Sequence, residues 1–428
     1  MRAPWPPSSG TTAAGPAGFH AAASGLQCDG VLVASIVEAA GTPAYIYSAG
    51  TIRVRYRAID AAFGSYPHAL HYAMKANSTL GIVRLMRGLG SAADANSGGE
   101  IELALRAGFA PGEIVFTGVG KTPGELERAV ALGLKAINAE SPGELDRIDA
   151  IAQSRGTRAR VAIRINPDID PESHPHISTG LKSTKFGVSF DEAGLLCREA
   201  AARTGLELVG LHVHVGSQIM TVEPIRRAAL AVVALARELR DAGIRIEHLD
   251  VGGGLGISYH DASAPSIDEY AAAVLEVVRS SGLTILLEPG RVIVGPAGIL
   301  VARVVDIKAQ PDHGWFIVVD AGMTDLLRPA LYGAYHRIAP LVERPGPEVV
   351  CDIVGPVCES SDTLGKRRPM PRPEVGDLMV IYDTGAYGSV MASNYNRRPT
   401  AVEVLVDAGQ TKVIRRRQTL DELFQYEE

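Results

Sequence analysis

EIVFTGVGKTPGELERAV, residues 113–130, holds the reading of the fold in one stretch. Its first part, EIVFTG (113–118), reads as a strand, because β-branched and aromatic residues suit a pleated, buried surface. Thr122 follows, with Glu125 three residues on. In such a box the hydroxyl and the carboxylate satisfy orphan backbone donors at a helix start. The same box recurs at Ser97/Glu100, Ser141/Glu144, Ser189/Glu192 and Ser266/Glu269. The strand candidates between residues 44 and 290 are AYIYS (44–48), ALHYAM (69–74), SAAD (91–94), LKAINA (134–139), RVAIRIN (160–166), LVGLHVHV (208–215), IEHLDVG (246–252) and LTILLEP (283–289). Repeated strand, box and helix mean βα units, and about eight of them favour a closed (β/α)8 barrel.

The pattern changes after residue 295. GILVARVVDIK, GWFIVVDAG, EVVCDIVG, DLMVIYD and TAVEVLVD are strand-like runs separated by Pro, Gly and Asp turns. They predict a second, C-terminal antiparallel β domain, a sandwich or barrel. The expected division is a disordered tail at 1–25, a barrel at 44–294, and a β domain from 26–43 and 295–428.

With 428 residues, 46% of them hydrophobic and 21% charged, the chain has an ordinary globular composition and length for two domains. A net charge of −6 argues against nucleic acid as a partner, and Arg415–Arg417 read as a solvated strand face. Cys28, Cys197, Cys351 and Cys358 form no CxxC pair, which disfavours structural zinc and fits a reducing cytoplasm. No apolar run reaches membrane-spanning length, and the Pro/Gly/Ala/Ser-rich first 25 residues lack the apolar segment of a secretory signal.

Barrel chemistry sits at the C-terminal ends of strands. Lys75, in HYAMKAN (71–77), stands where a strand runs out. Most lysines there are solvated, with their stems lying along apolar surface. A lysine in a desolvating pocket becomes instead a nucleophilic amine that forms a Schiff base. Other strand ends carry His214 with Gly216–Ser217, then Gly252–Gly254, and Glu288–Pro289–Gly290–Arg291. GGGLG (252–256) fails the dinucleotide spacing because position 257 is Ile, yet its amides suit a phosphate. His212 and His214 share one strand face, but no acidic or thiol partner lies near in sequence, so a metal is not expected. Together the set answers pyridoxal phosphate, which needs an amine, phosphate donors, a stacking face and a carboxylate for its pyridine nitrogen.

YAMKAN, HVGSQ, DVGGGLGI, EPGR, RPALYGAYH, GPVCESSD and GAYGSVMASNYNRRP resemble, in order, the motifs of the fold-type III pyridoxal-phosphate decarboxylases. Within that family the likeness is to the branch that acts on diaminopimelate, and it runs from about residue 30 to the C-terminus. The resemblance implies Lys75 as the Schiff-base lysine with Asp94 beside it, His214 stacked on the ring and Glu288 at the pyridine nitrogen. Ser217, Gly253, Gly254, Gly290, Arg291 and Tyr387 would surround the phosphate end. Cys358 would reprotonate Cα across a homodimer interface, and Arg291, Arg328, Tyr332, Glu359 and Tyr387 would grip the substrate. A guanidinium pairs bidentately with a distal carboxylate, which ornithine and lysine lack. The implied reaction is meso-2,6-diaminopimelate to L-lysine and CO2, the last step of bacterial-type lysine biosynthesis. Ser361 departs from the family, where glycine is expected. Still open at this level are a relative acting on another carboxylated or basic amino acid, a non-catalytic pyridoxal-phosphate carrier, and a racemase.

Overall fold

The computed structural model of the chain describes residues 11–12, 15–16, 18–170, 179–181, 183–260, 262–311 and 314–427. They divide into two units: one of 57–257 and 263–292, the other of the described residues up to 56, 258–262 and 293 onward.

The first unit is a closed ring of eight parallel strands. In chain order these are His68–Ala73, Ala92–Ala95, Ile114–Phe116, Ala136–Ala139, Ala159–Asn166, Leu206–Val213, His248–Asp250 and Thr284–Leu287. Each pairs with the next, and the last pairs with the first at Leu287 opposite Leu70. Ala69, Val115, Ala136, Ala162, Val209 and Leu286, one from each of six strands, meet in a single apolar cluster. That cluster is the packed interior expected of a barrel of this size.

The helix starts follow the boxes with instructive exceptions. Thr122/Glu125 and Ser266/Glu269 make both bonds. Ser97 and Ser141 accept their N3 amides, but the acids are diverted: Glu100 accepts the Asn96 amide at 2.7 Å, and Glu144 takes the Lys121 ammonium at 2.6 Å. Ser189 makes no backbone cap, its hydroxyl donating to the Glu192 carboxylate at 2.6 Å.

The second unit corrects three expectations. AYIYS, read as a barrel strand, is Ala44–Ser48 and lies antiparallel to Gly298–Gln310 and parallel to Val402–Asp407. All five residues are buried, and a short, mostly apolar run suits a two-sided sheet as well as a barrel. Ile46 joins Val33, Ile36, Val37, Ile299, Val301, Val380 and Val404 in that unit's core, with the helix Val33–Ala40. The sheet is not wholly antiparallel either, because Gly314–Val319 also runs parallel to Glu348–Val354. Between them the chain makes the helix Arg328–Tyr332 and the strand Ile338–Pro340, a detour long enough to bring it back in the same sense. The third correction concerns the tail. Residues 1–10 lie outside the described residues, but Phe19–Ala22 pairs with Gly25–Cys28. Asp29 anchors that hairpin by accepting from the Gly18 amide at 2.7 Å, the Ser48 hydroxyl at 2.8 Å and the Gly50 amide at 2.9 Å. Among the described residues no helix is long and apolar enough to cross a membrane.

Candidate active site

Every barrel strand ends, on the same rim, in a polar residue. In ring order they are Lys75, Asp94, Thr117, Asn138, Asn166, His212, Asp250 and Glu288. Lys75 lies in the single turn Met74–Ala76 just past the first strand. That turn is shaped by Asn77, whose carbonyl accepts the Tyr72 hydroxyl at 2.9 Å and whose side chain accepts the Thr79 amide at 3.1 Å. Lys75 Nζ reaches Asp94 Oδ2 at 3.3 Å, and the lysine is 30% exposed while the aspartate is fully buried. Burial pushes the Asp94 carboxyl up, the Glu288 charge adds to this, and Lys75 opposes it. Gly290 packs beside the lysine, where a Cβ would meet the Ala76 Cβ at 2.9 Å.

Across the rim, Glu288 is fully buried, with His212 Nε2 3.3 Å from its Oε1. Thr117 donates its hydroxyl to the same oxygen at 3.4 Å and accepts from Asn138 Nδ2 at 2.9 Å. Burial works to raise the Glu288 carboxyl, but His212 and then Lys75 outweigh it and hold it well below the usual carboxylate range. His214 Nδ1 accepts the Gly253 amide at 3.2 Å, which fixes both ring plane and tautomer. Its 3.8 Å approach to Glu288 Oε2 is therefore not a hydrogen bond. Burial first, and Lys75 second, keep the His214 imidazole well below its ordinary pKa.

At the glycine run the backbone comes close to neighbouring strand ends. A Cβ on Gly253 would lie 2.1 Å from the Glu288 carbonyl, and one on Gly254, at φ +100°, 2.4 Å from that of Gly216. Arg291, which opens the turn Arg291–Val294, donates to the Ser217 hydroxyl at 3.0 Å. The barrel thus brings together Lys75, Asp94, His214, Ser217, Gly253, Gly254, Glu288, Gly290 and Arg291. It adds Thr117 and Asn138, which no motif held, and gives a place to His212 and to Asp250, the first residue of DVGGGLGI, to which the motifs gave no role. Polar residues at the ends of apolar runs were the available signal. The chain's barrel also buries two ion pairs near this rim, Arg164–Glu140 at 2.7 Å and Lys121–Glu144 at 2.6 Å.

These residues fit pyridoxal phosphate. Glu288 Oε2 is a buried acceptor with no donor among the described residues, which a protonated pyridine nitrogen would answer. The amine of Lys75, the flat neutral face of His214, and the Ser217–Arg291 pair with the glycine amides supply the remaining needs.

The β unit holds the other candidates. Arg328 is buried at the start of its short helix, with Nη1 2.6 Å from His336 Nε2 and its guanidinium 4.4 Å above the Tyr259 ring. His336 Nδ1 lies 2.8 Å from the Tyr382 carbonyl, which can only accept, so the imidazole is neutral and its Nε2 accepts from the arginine. Cys358 is exposed, and its amide donates to Asn396 Oδ1 at 2.8 Å. The loop that carries Cys358 and Glu359 is drawn together by Asp362, which accepts the Val357 amide at 2.7 Å and the Met323 amide at 2.5 Å. Ser361 is not among the residues with positive φ, so serine fits where glycine was expected. Tyr387 sits at φ +54°, a conformation disfavoured for a large side chain. Burial pushes the Cys197 thiol up to about 12 and the Cys351 thiol up to about 11, as inert buried cysteines should be. Tyr332 lies on the same short helix as Arg328.

The model of the pyridoxal-dependent decarboxylase family, pyridoxal binding domain, matches residues 49–295. A diaminopimelate decarboxylase of Vibrio cholerae is 44% identical over 403 residues, covering 94% of this chain and 96% of that protein. The solved diaminopimelate decarboxylase from Helicobacter pylori, complexed with L-lysine, superposes with a TM-score of 0.89 at 43% identity, over 92% of this chain and 98% of that one. The enzyme from M. jannaschii in co-complex with L-lysine gives 0.91 at 36% identity, over 96% and 98%.

Proposed function

This chain belongs to the pyridoxal-dependent decarboxylases, and from that premise we propose that it converts meso-2,6-diaminopimelate to L-lysine and CO2 as a cytoplasmic homodimer. The observation that carries the reading is the rim itself. An amine 3.3 Å from a buried acid faces a second, ionised acid, with an arginine–serine pair beside a glycine run, in a chain so similar to diaminopimelate decarboxylases.

Pyridoxal phosphate, when bound, supplies a sink for the electron pair left on Cα as CO2 departs. Lys75 presents the amine that holds the cofactor's carbonyl carbon, and Asp94 keeps that side chain at the rim. Glu288 would keep a proton on the ring nitrogen. His214, its plane set by Gly253, would lie against one ring face. Ser217, Arg291, the amides of Gly253 and Gly254, and Tyr387 would take the phosphate charge.

In the reaction one bond breaks, Cα to the carboxylate carbon at the D-configured centre, and one forms, Cα to hydrogen. Cys358, given from the partner subunit of the homodimer, donates that proton, because a thiol in an exposed loop can approach Cα and be reprotonated by water. Arg328, with Tyr332 and Glu359, grips the distal carboxylate and amine of the substrate, and Arg291 assists. Incubating the purified protein and pyridoxal phosphate separately with meso-, LL- and DD-diaminopimelate, lysine, ornithine and arginine tests the reading. CO2 release confined to the meso isomer, with L-lysine formed, supports it; release from ornithine or lysine alone refutes it.

A further inference from the structure

Asp250 ends the seventh barrel strand and is fully buried. One atom each of His212, Asp250 and Glu288 lie within 4.8 Å of one another. Two carboxylates that close, both shut away from water, cannot both carry charge, because the repulsion adds to the cost of burial. The surroundings decide which one holds the proton. Thr117 donates its hydroxyl to Glu288 Oε1 at 3.4 Å, and His212 Nε2 lies 3.3 Å from the same oxygen without the alignment of a hydrogen bond; both favour a negative charge there. Asp250 has only the Gly252 amide, on Oδ1 at 2.9 Å, and no donor among the described residues reaches its Oδ2. The proton therefore belongs on Asp250 Oδ2, on the side of the neighbouring Glu288 carboxylate.

We propose that Asp250 is a neutral carboxylic acid that donates its proton to Glu288, and that Asp250 and His212 are positioning residues keeping Glu288 the anion offered to the ring nitrogen of pyridoxal phosphate. The electrostatics agree. Burial, and then the Glu288 charge, push the Asp250 carboxyl well above the usual range, while Glu288 is held well below it. An oxygen carries two lone pairs, so the same Glu288 oxygen can take the Asp250 proton and the ring N–H. The cluster also has the residue types of a cation site. A cation there would need Asp250 ionised, which is the opposite prediction. The proposal rests on the pyridoxal-phosphate reading of the rim but not on the identity of the substrate.

Asparagine separates the two. Asp250→Asn keeps Oδ1 for the Gly252 amide and puts an N–H where the acid proton was, whereas Asp250→Ala supplies neither. The readouts are the dissociation constant of pyridoxal phosphate from the apoprotein and the pH midpoint of the bound cofactor's absorbance change. The expected result is an Asp250→Asn protein within about threefold of wild type in affinity and unmoved in midpoint, and an Asp250→Ala protein weakened about tenfold or more with a shifted midpoint. An Asp250→Asn protein as impaired as Asp250→Ala overturns the proposal, as does cofactor binding that is lost with a chelator and restored by a divalent cation. Where Asp250→Ala does not fold, Asp250→Asn against wild type decides alone, because asparagine cannot ionise. If diaminopimelate is not turned over while this pattern holds, the substrate reading fails and the proton assignment stands.

Discussion

Replacing Arg328 by alanine tests the substrate reading most directly. The guanidinium is buried, fixed at 2.6 Å to the neutral Nε2 of His336 and laid 4.4 Å over Tyr259. Its orientation is thus set before any ligand arrives, so little rotamer entropy is lost on binding. A hydrogen bond to a charged group contributes about 1.5–3 kcal/mol, and the second bond of a paired guanidinium–carboxylate contact adds less than the first because the two share one ordering cost. Losing the clamp therefore costs about 2–4 kcal/mol of substrate binding, roughly a 30- to 1000-fold rise in KM for meso-diaminopimelate. The distal carboxylate does not change during the reaction, so this is uniform binding and kcat should move by less than about threefold. Steady-state kinetics with a CO2 readout, beside a cofactor absorbance spectrum to confirm loading, make the assay. His336→Ala removes the pivot but leaves the charge, and should raise KM by about tenfold, less than the arginine deletion. A KM for Arg328→Ala within threefold of wild type, in a folded and loaded protein, would refute the clamp.

Cys358→Ala should retain pyridoxal phosphate and lose about 100-fold or more in kcat, the usual contribution of a general acid, measured as CO2 release beside a cofactor titration. Lys121 donates to the Gly118 and Asn138 carbonyls at 2.7 and 2.8 Å and to Glu144 at 2.6 Å. Lys121→Met strands a buried carboxylate and should cost about 3–5 kcal/mol in denaturant unfolding, with Lys121→Met/Glu144→Leu recovering most of it. Burial, with the Asp94 charge adding to it, holds the Glu100 carboxyl up from its ordinary 4.5 at about 7. The folded state then binds the extra proton between these values, so the contribution of Glu100 to stability is fully present below 4.5 and is lost as pH rises to about 7. Glu100→Gln should flatten that part of a stability–pH profile, and an unchanged slope would assign it to other groups.

The periodic signals were local and therefore readable. Five apolar runs followed by Ser or Thr and Glu mark helix starts whatever the chain does later, and Thr122/Glu125 and Ser266/Glu269 form as boxes. Where the acid found a stronger partner, as Glu144 found Lys121, the box was half made, and nothing within three residues could have announced it. AYIYS illustrates the limit for strands. Five buried residues with no exposed face carry no sign of which sheet they enter, and their partners lie some 250 and 350 residues away in chain terms, at Gly298–Gln310 and Val402–Asp407.

The same division holds at the site. Lys75, His214, Glu288 and Arg291 stand in motifs, so sequence alone determined a barrel, pyridoxal phosphate as the cofactor and the chemistry of losing CO2. Thr117 and Asn138 are isolated polar residues in otherwise apolar runs, and His212 and Asp250, though beside motif residues, carry no role of their own until the ring closes Leu287 on Leu70 and brings eight strand ends to one circle. Only the tertiary structure put His212 3.3 Å from Glu288 with Asp250 beside them, because hydrogen-bond register, not chain distance, sets which strand ends meet. Proton sharing between buried acids depends on that distance and on the loss of water around it, and neither is written in the order of residues.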